Sequence, residues 1–280
     1  MKLCRFDGGY GLVVDDAAIE VGDLVAASSN GAGDPVIAAL PRIARLGAAE
    51  QAARPRRPLA DLTLLSPIRA PSRILAAPNN YRDHLEEMRN DAVAHNRFGG
   101  VYEAGLFLKA TTSLVGPGEG IAQRFLDRRT DPEIELVVVI GKPGSDIPAA
   151  AALDHVAGYA LGLDVTLRGP EERSLRKSID SYTVLGPWLV TADELPDIAA
   201  RRISLAVNGT TRQDAALSDM VCDVPHIVEY ASRFYRLNPG DLIYTGTPAG
   251  VGPIRPGDEL LARADGLGEM RVRVRAAGVP

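Results

Sequence analysis

The chain is short of cysteine, of histidine and of long apolar runs, and it has no excess of positive charge. Each shortage removes a class of function. Its two cysteines, Cys4 and Cys222, stand alone with no metal-ligand spacing near either, so a reduced, cytoplasmic setting is expected. No apolar stretch is long enough to span a bilayer and no secretory-signal pattern is seen, which excludes a membrane partner of that kind. A formal charge of −5 argues against nucleic acid as a partner, because phosphate backbones are held by basic surfaces. The one basic run, Arg54, Arg56 and Arg57 around Pro55 and Pro58, carries no aromatic residue and reads as a solvated linker.

What is present is enough chain, 280 residues, for one large domain and a small one. Residues 1–66 alternate short apolar runs with turn residues and read as a small supporting domain. Within it, Val13-Val14 before Asp15-Asp16 and Ile19 before Gly22-Asp23 predict hairpins. The composition changes near Pro67, and residues 67–280 form the larger domain. From Asn79 to about Asn96 the pattern is helical, with Tyr81, Leu85 and Met88 on one face. Gly99-Gly100 breaks the chain before a strand at Leu106-Phe107-Leu108, and the polar segment between has the character of a movable lid. Near the C-terminus, Asp223 caps a predicted helix with Pro225 in its first turn and a stripe of Ile227, Val228, Ala231, Phe234 and Tyr235. Pro239-Gly240-Asp241 and Pro256-Gly257-Asp258 signal turns ahead of strands at Leu242 and Glu259, and a last strand covers Met270 to Val274. The fold class is α+β and strand-rich.

The chemistry concentrates in Asp131-Pro132-Glu133-Ile134-Glu135-Leu136-Val137-Val138-Val139-Ile140. Val137 to Ile140 reads as a strand covered on both faces. Glu133 and Glu135, two apart on a strand, lean toward one spot. Two anions at the mouth of a core are costly without a cation between them, and a hard divalent ion such as Mg²⁺ or Mn²⁺ suits carboxylates. The plain alternative is an edge strand with two solvated glutamates. Asp164, ending the apolar strand that starts at Val156, is the natural third ligand; otherwise it caps the following turn.

His84 and Glu87, three apart on the predicted helix, share a face, so the carboxylate can orient an imidazole that takes a proton from water. A surface histidine beside an acidic patch is the ordinary counterpart; His95, His155 and His226 lack any such setting. Lys177 and Arg168 are fixed cations able to hold a carboxylate or an enolate, or else surface charges. Thr245-Gly246-Thr247-Pro248-Ala249-Gly250-Val251-Gly252 is a Gly-rich turn whose amides and hydroxyl could hold an anion, and a tight hairpin accounts for it equally.

Taken in order, Asn80-Tyr81-Arg82-Asp83-His84-Leu85-Glu86-Glu87-Met88, Phe107-Leu108-Lys109, Glu133-Ile134-Glu135, Asp164-Val165-Thr166-Leu167-Arg168, Lys177-Ser178, Leu185-Gly186-Pro187-Trp188, Val207-Asn208-Gly209 and the stretch from Pro239 to Gly252 resemble the fumarylacetoacetate hydrolase family. The resemblance implies a mixed β-roll catalytic domain with a small N-terminal domain, a homodimer, and Mg²⁺ or Mn²⁺ held by Glu133, Glu135 and Asp164, with another divalent ion such as Ca²⁺ also compatible. It implies water activation by His84 and Glu87, an active-site lysine at Lys177, and substrate contacts from Arg168, Thr247 and Tyr81. The activity implied is hydrolytic C–C cleavage of a 1,3-dicarbonyl or acylpyruvate-type oxo acid, as in aromatic catabolism. The same metal–enolate chemistry serves an oxo-acid decarboxylase or isomerase. Two departures bear on the substrate: Leu163 precedes Asp164 and Gly169 follows Arg168, and Pro170-Glu171-Glu172 stands where the family often carries a glutamine.

Overall fold

The strand Ile134–Ile140 is buried along its whole length, and its position explains why its sequence does not alternate. In the computed structural model, which describes residues 1–28, 33–90 and 99–278, it lies between Val156–Asp164 and Leu242–Tyr244, antiparallel to both. Ile134, Leu136, Val138 and Ile140 face one core and Val137 and Val139 the other, so both faces must be apolar. The first core is closed by the helix Val224–Phe234 and by the strands Arg202–Val207, Glu259–Ala264 and Gly268–Ala276, which belong to a five-stranded second sheet. The second core is closed by the helix Pro35–Ile43.

Among the described residues the main sheet has twelve strands. From Ile134–Ile140 it runs through Val156–Asp164 and Thr183–Thr191 to Lys2–Phe6, Gly9–Val14, Ala17–Glu20 and Arg56–Pro58; in the other direction it passes through Leu242–Tyr244 and Ile74–Ala76 to Phe107–Lys109. Lys2–Phe6 is hydrogen-bonded to Thr183–Thr191, so the sheet runs continuously across the 66/67 boundary, which falls in the connection between Leu64–Leu65 and Ile74–Ala76.

The hairpin at Asp15-Asp16 is present, joining Gly9–Val14 to Ala17–Glu20. The second expected hairpin is not. After Glu20 the chain enters the short helix Gly22–Ala26, and Ala17–Glu20 takes Arg56–Pro58 as its partner. Arg56 and Arg57 of the basic run therefore lie in an exposed edge strand and not in a linker, while Arg54 ends the preceding helix and pairs with Asp23 at 2.6 Å. Pro58 is tolerated there because an edge strand leaves half its ladder unpaired. The C-terminal helix starts as expected, with Asp223 accepting from the His226 amide at 3.0 Å. Phe234, however, is exposed: the helix ends at that residue, and its ring rests on Tyr230 with centroids 5.1 Å apart. The helix predicted from Asn79 begins at Arg82, because Asn79 has a left-handed backbone with φ +46°. It runs to Asn90, and the rest of the predicted span lies outside the described residues. No described helix is long and apolar enough to cross a membrane.

Candidate active site

The start of Ile134–Ile140 and the end of Val156–Asp164 meet at one edge of the sheet interior. Ile134 is in register with Leu163, and the Asp164 amide donates to the Glu133 carbonyl at 2.8 Å, which puts Asp164 beside Glu133. All three carboxylates are buried, and Glu133, Glu135 and Asp164 each offer an oxygen within 4.8 Å of the others. The reading of Glu133 and Glu135 as solvated edge residues is thereby overturned.

The cations around the cluster are unevenly shared. Lys177 Nζ donates to Glu133 Oε2 at 2.6 Å, Asp164 Oδ2 at 2.7 Å and Thr166 Oγ1 at 2.7 Å, which uses all three of its N–H groups. Lys109, wholly buried, donates to Asp164 Oδ1 and to the Tyr182 carbonyl, and burial weakens its hold on its own proton. Arg168 bridges Asp131, through Nε at 2.7 Å, and Glu133, through Nη2 at 2.8 Å. For Glu133, burial works against ionisation, but Lys177 and Arg168 prevail and hold its carboxyl well below the usual range. Glu135 differs. Among the described residues it has no ion-pair partner, only the Gly246 amide at 2.6 Å, and burial followed by the charge of Asp164 pushes its carboxyl well above the usual range. A cluster of hard oxygen donors with an uncompensated carboxylate fits a divalent cation, whose charge would relieve the surplus on Glu135.

The helix Arg82–Asn90 brings the second pair. His84 Nδ1 is bonded to Glu87 Oε2 at 3.0 Å, and Glu87 Oε1 accepts from the Gly250 amide at 3.0 Å. The Gly-rich turn does present amides to anions, but the anions are the protein's own: Gly246 holds Glu135 and Gly250 holds Glu87. Both glycines need their type. Gly246 has φ +95° and a Cβ there would lie 2.6 Å from the Asn80 Cβ; Gly250 has φ +99° and a Cβ would lie 1.9 Å from the Arg212 carbonyl oxygen. In the same turn the Thr247 hydroxyl accepts from Gln213 Nε2 at 2.8 Å.

His84, Glu133, Glu135, Arg168, Lys177 and Thr247 all line one cavity of about 780 Å³. Tyr81, expected at the substrate, does not line it. Its backbone pairs with Met220, and its ring is buried with the hydroxyl lacking a hydrogen-bond partner among the described residues. His155 bonds the Lys142 carbonyl and His226 bonds Asp223, both away from the cavity.

Several site residues escaped the sequence reading. Lys109 ends the apolar strand Phe107–Lys109 as Asp164 ends its own, so the signal of a charge closing an apolar strand was available. Asp131 shares strand parity with Glu133 and carried the same hint. Gln213 carried none. It comes from the strand Thr210–Ala216 of the other sheet, and it accepts from the Ile134 amide at 3.1 Å while donating to Thr247.

Residues 73–275 match the family model described as fumarylacetoacetate (FAA) hydrolase C-terminal. Among curated proteins, a maleylpyruvate hydrolase of Aquipseudomonas alcaligenes is 45% identical over 287 aligned positions, covering 99% of this chain and 100% of the relative. The mitochondrial oxaloacetate tautomerase FAHD1 of Mus musculus is 40% identical, covering 72% of this chain and 91% of the relative. Among solved structures, maleylpyruvate hydrolase from Sphingobium sp. SYK-6, in complex with manganese(II) ion and pyruvate, superposes with a TM-score of 0.83 at 34% identity, covering 99% of this chain and 100% of that one. With a family model spanning most of its length and relatives matched from end to end, this chain belongs to the fumarylacetoacetate hydrolase family.

Proposed function

We propose that this protein hydrolyses the C–C bond of an acylpyruvate, releasing pyruvate and a second carboxylic acid, with maleylpyruvate as the first substrate to test. The observation that carries the reading is that Glu133 and Glu135 of the carboxylate cluster and His84 of the His84–Glu87 pair line one cavity. Mg²⁺ or Mn²⁺, held by the three carboxylates, would supply Lewis acidity toward the oxygens of the dicarbonyl. Glu87, itself fixed by the Gly250 amide, orients His84 through Nδ1, which leaves Nε2 as the basic nitrogen. His84 takes a proton from water as the water oxygen bonds to the acyl carbonyl carbon. The bond from that carbon to the methylene breaks, its electron pair passes to the methylene side, and the imidazolium returns the proton there. One water is consumed and two acids leave.

Lys177 has no N–H left for substrate, so we assign it to holding Glu133 and Asp164 together. Arg168, likewise engaged by Asp131 and Glu133, shapes the cavity wall, and the Thr247 hydroxyl, fixed by Gln213, is the polar group offered by the Gly-rich turn. The first 66 residues support the site through the shared sheet. The same reading takes the protein to be cytoplasmic, in keeping with two free and buried cysteines. It also takes it to be a homodimer, for which the exposed Tyr102 and Phe234 offer apolar surface.

His84→Ala is expected to lower kcat by about 10²- to 10⁴-fold, the usual worth of a positioned base, while calorimetry shows unchanged Mn²⁺ affinity. Undiminished hydrolysis would remove His84 from the mechanism. Product analysis by NMR separates the rival activities: pyruvate and maleate from maleylpyruvate support hydrolysis. Carbon dioxide release from oxaloacetate, or tautomer exchange alone, would move the chain to the decarboxylase or isomerase reading.

A further inference from the structure

The cavity has a second pole. The helix Arg173–Lys177 is held at its start by Glu172, whose side chain accepts from the Ser174 and Leu175 amides. It lays Arg173, Arg176 and Lys177 along one wall, and with Arg168 they place four cations on the cavity lining. Lys177 and Arg168 are committed to the carboxylate cluster. Arg176 is not. It is buried, with 8% of its surface exposed, and its partners are neutral: Nε donates to the Glu171 carbonyl at 2.8 Å and Nη1 to the Leu167 carbonyl at 3.0 Å. No carboxylate lies within ion-pair distance of it among the described residues, and its Nη2 makes no protein hydrogen bond there.

The acids nearby are otherwise engaged. Glu171 is held by Arg128 through two bonds of 2.8 and 2.7 Å, and Glu172 caps its helix. Glu103, also on the lining, is exposed on the short helix Val101–Ala104. Burial, and then the neighbouring charges of Arg168 and Arg173, weaken the hold of Arg176 on its proton. A buried guanidinium on a cavity wall with no carboxylate in ion-pair reach is costly unless a ligand brings one. Arg173, one helical turn earlier, lines the same wall with its guanidinium 5.5 Å from the centre of the Phe107 ring.

We infer that Arg176 binds the substrate carboxylate remote from the dicarbonyl, so that the enzyme selects dicarboxylic acylpyruvates over monocarboxylic ones. This rests on the hydrolase reading for its substrate class. The Pro170-Glu171-Glu172 segment sets the position of Arg176, through the Glu171 carbonyl that accepts from its Nε and through the Glu172 cap of its helix.

The test is the ratio of kcat/KM for maleylpyruvate to that for acetylpyruvate, which lacks the second carboxylate. Arg176→Gln is expected to lower that ratio by about 30-fold or more, as loss of one partner from a desolvated charge pair does. Arg176→Lys is expected to recover part of it. An unchanged ratio in Arg176→Gln, or equal losses on both substrates, would overturn the inference. Calorimetry keeps the test independent of turnover. Wild-type protein is expected to bind maleate more tightly than isocrotonate, its cis monocarboxylate counterpart, and Arg176→Gln to lose that preference. A wild type that cleaves neither acylpyruvate yet shows the preference sinks the hydrolase reading and leaves the carboxylate site standing. A wild type without the preference sinks the site.

Discussion

Glu133→Gln is expected to destabilise the protein by about 3–5 kcal/mol, the cost of breaking a buried ion pair by removing one partner, and to abolish hydrolysis. Glu133 is the counter-ion of Lys177 at 2.6 Å and of Arg168 at 2.8 Å, and all three side chains are buried. A glutamine of the same shape leaves both cations without that charge. Chemical denaturation of the chelator-treated protein measures the loss. The pH dependence follows from the direction of the shift. Because its folded-state carboxyl is depressed, the contribution of Glu133 is fully present above the ordinary unfolded value of about 4.3 and is lost as pH falls toward the lower folded value. Wild type should therefore lose more stability than Glu133→Gln between about pH 5 and pH 2, and parallel curves would contradict the pairing.

The neighbouring glutamate should behave in the opposite way. Glu135→Gln is expected to leave the metal-free protein at pH 7 as stable as wild type or more so, while divalent-ion affinity falls by more than about 100-fold, beyond what loss of an outer-shell partner costs. Glu135 has the Gly246 amide but no cation, and its carboxyl is pushed up by burial and by Asp164. The linkage sign reverses with the shift. A raised folded value makes the stabilising contribution complete below about 4.3 and lost as pH rises through the folded value, so at neutral pH the ionised group is a burden that glutamine removes. Added Mn²⁺ should raise the melting temperature of wild type by mass action and leave that of Glu135→Gln unmoved. Denaturation with and without chelator decides between this and a purely structural role, in which both glutamates would destabilise alike when replaced.

How far the sequence carried depended on whether a signal was local. The continuous run from Ile134 to Ile140 announced a strand between two cores, and parity along it aimed Glu133 and Glu135 at one place; the structure agrees on both points. His84 and Glu87 were legible for the same reason, since i,i+3 spacing on a helix is a local fact. What was illegible came from distant chain. Nothing near Gln213 says that it will join the ligand strand to the Thr247 turn, because that contact exists only where the two sheets meet. The run Arg54 to Pro58 looked like a linker because proline disfavours central strands, whereas an edge position beside Ala17–Glu20 satisfies the same preference. The Gly-rich turn reads equally as an anion site and as a tight hairpin, and its amides hold the protein's own Glu135 and Glu87. Lys177 shows the same limit: its charge was evident in the sequence, but not that three protein oxygens would use all its donors.

The most direct test of the whole account is anomalous scattering from crystals of this protein grown with Mn²⁺. One peak per chain is expected among the carboxylates of Glu133, Glu135 and Asp164, at the cavity that His84 lines. A peak elsewhere, or none at saturating Mn²⁺, would contradict it.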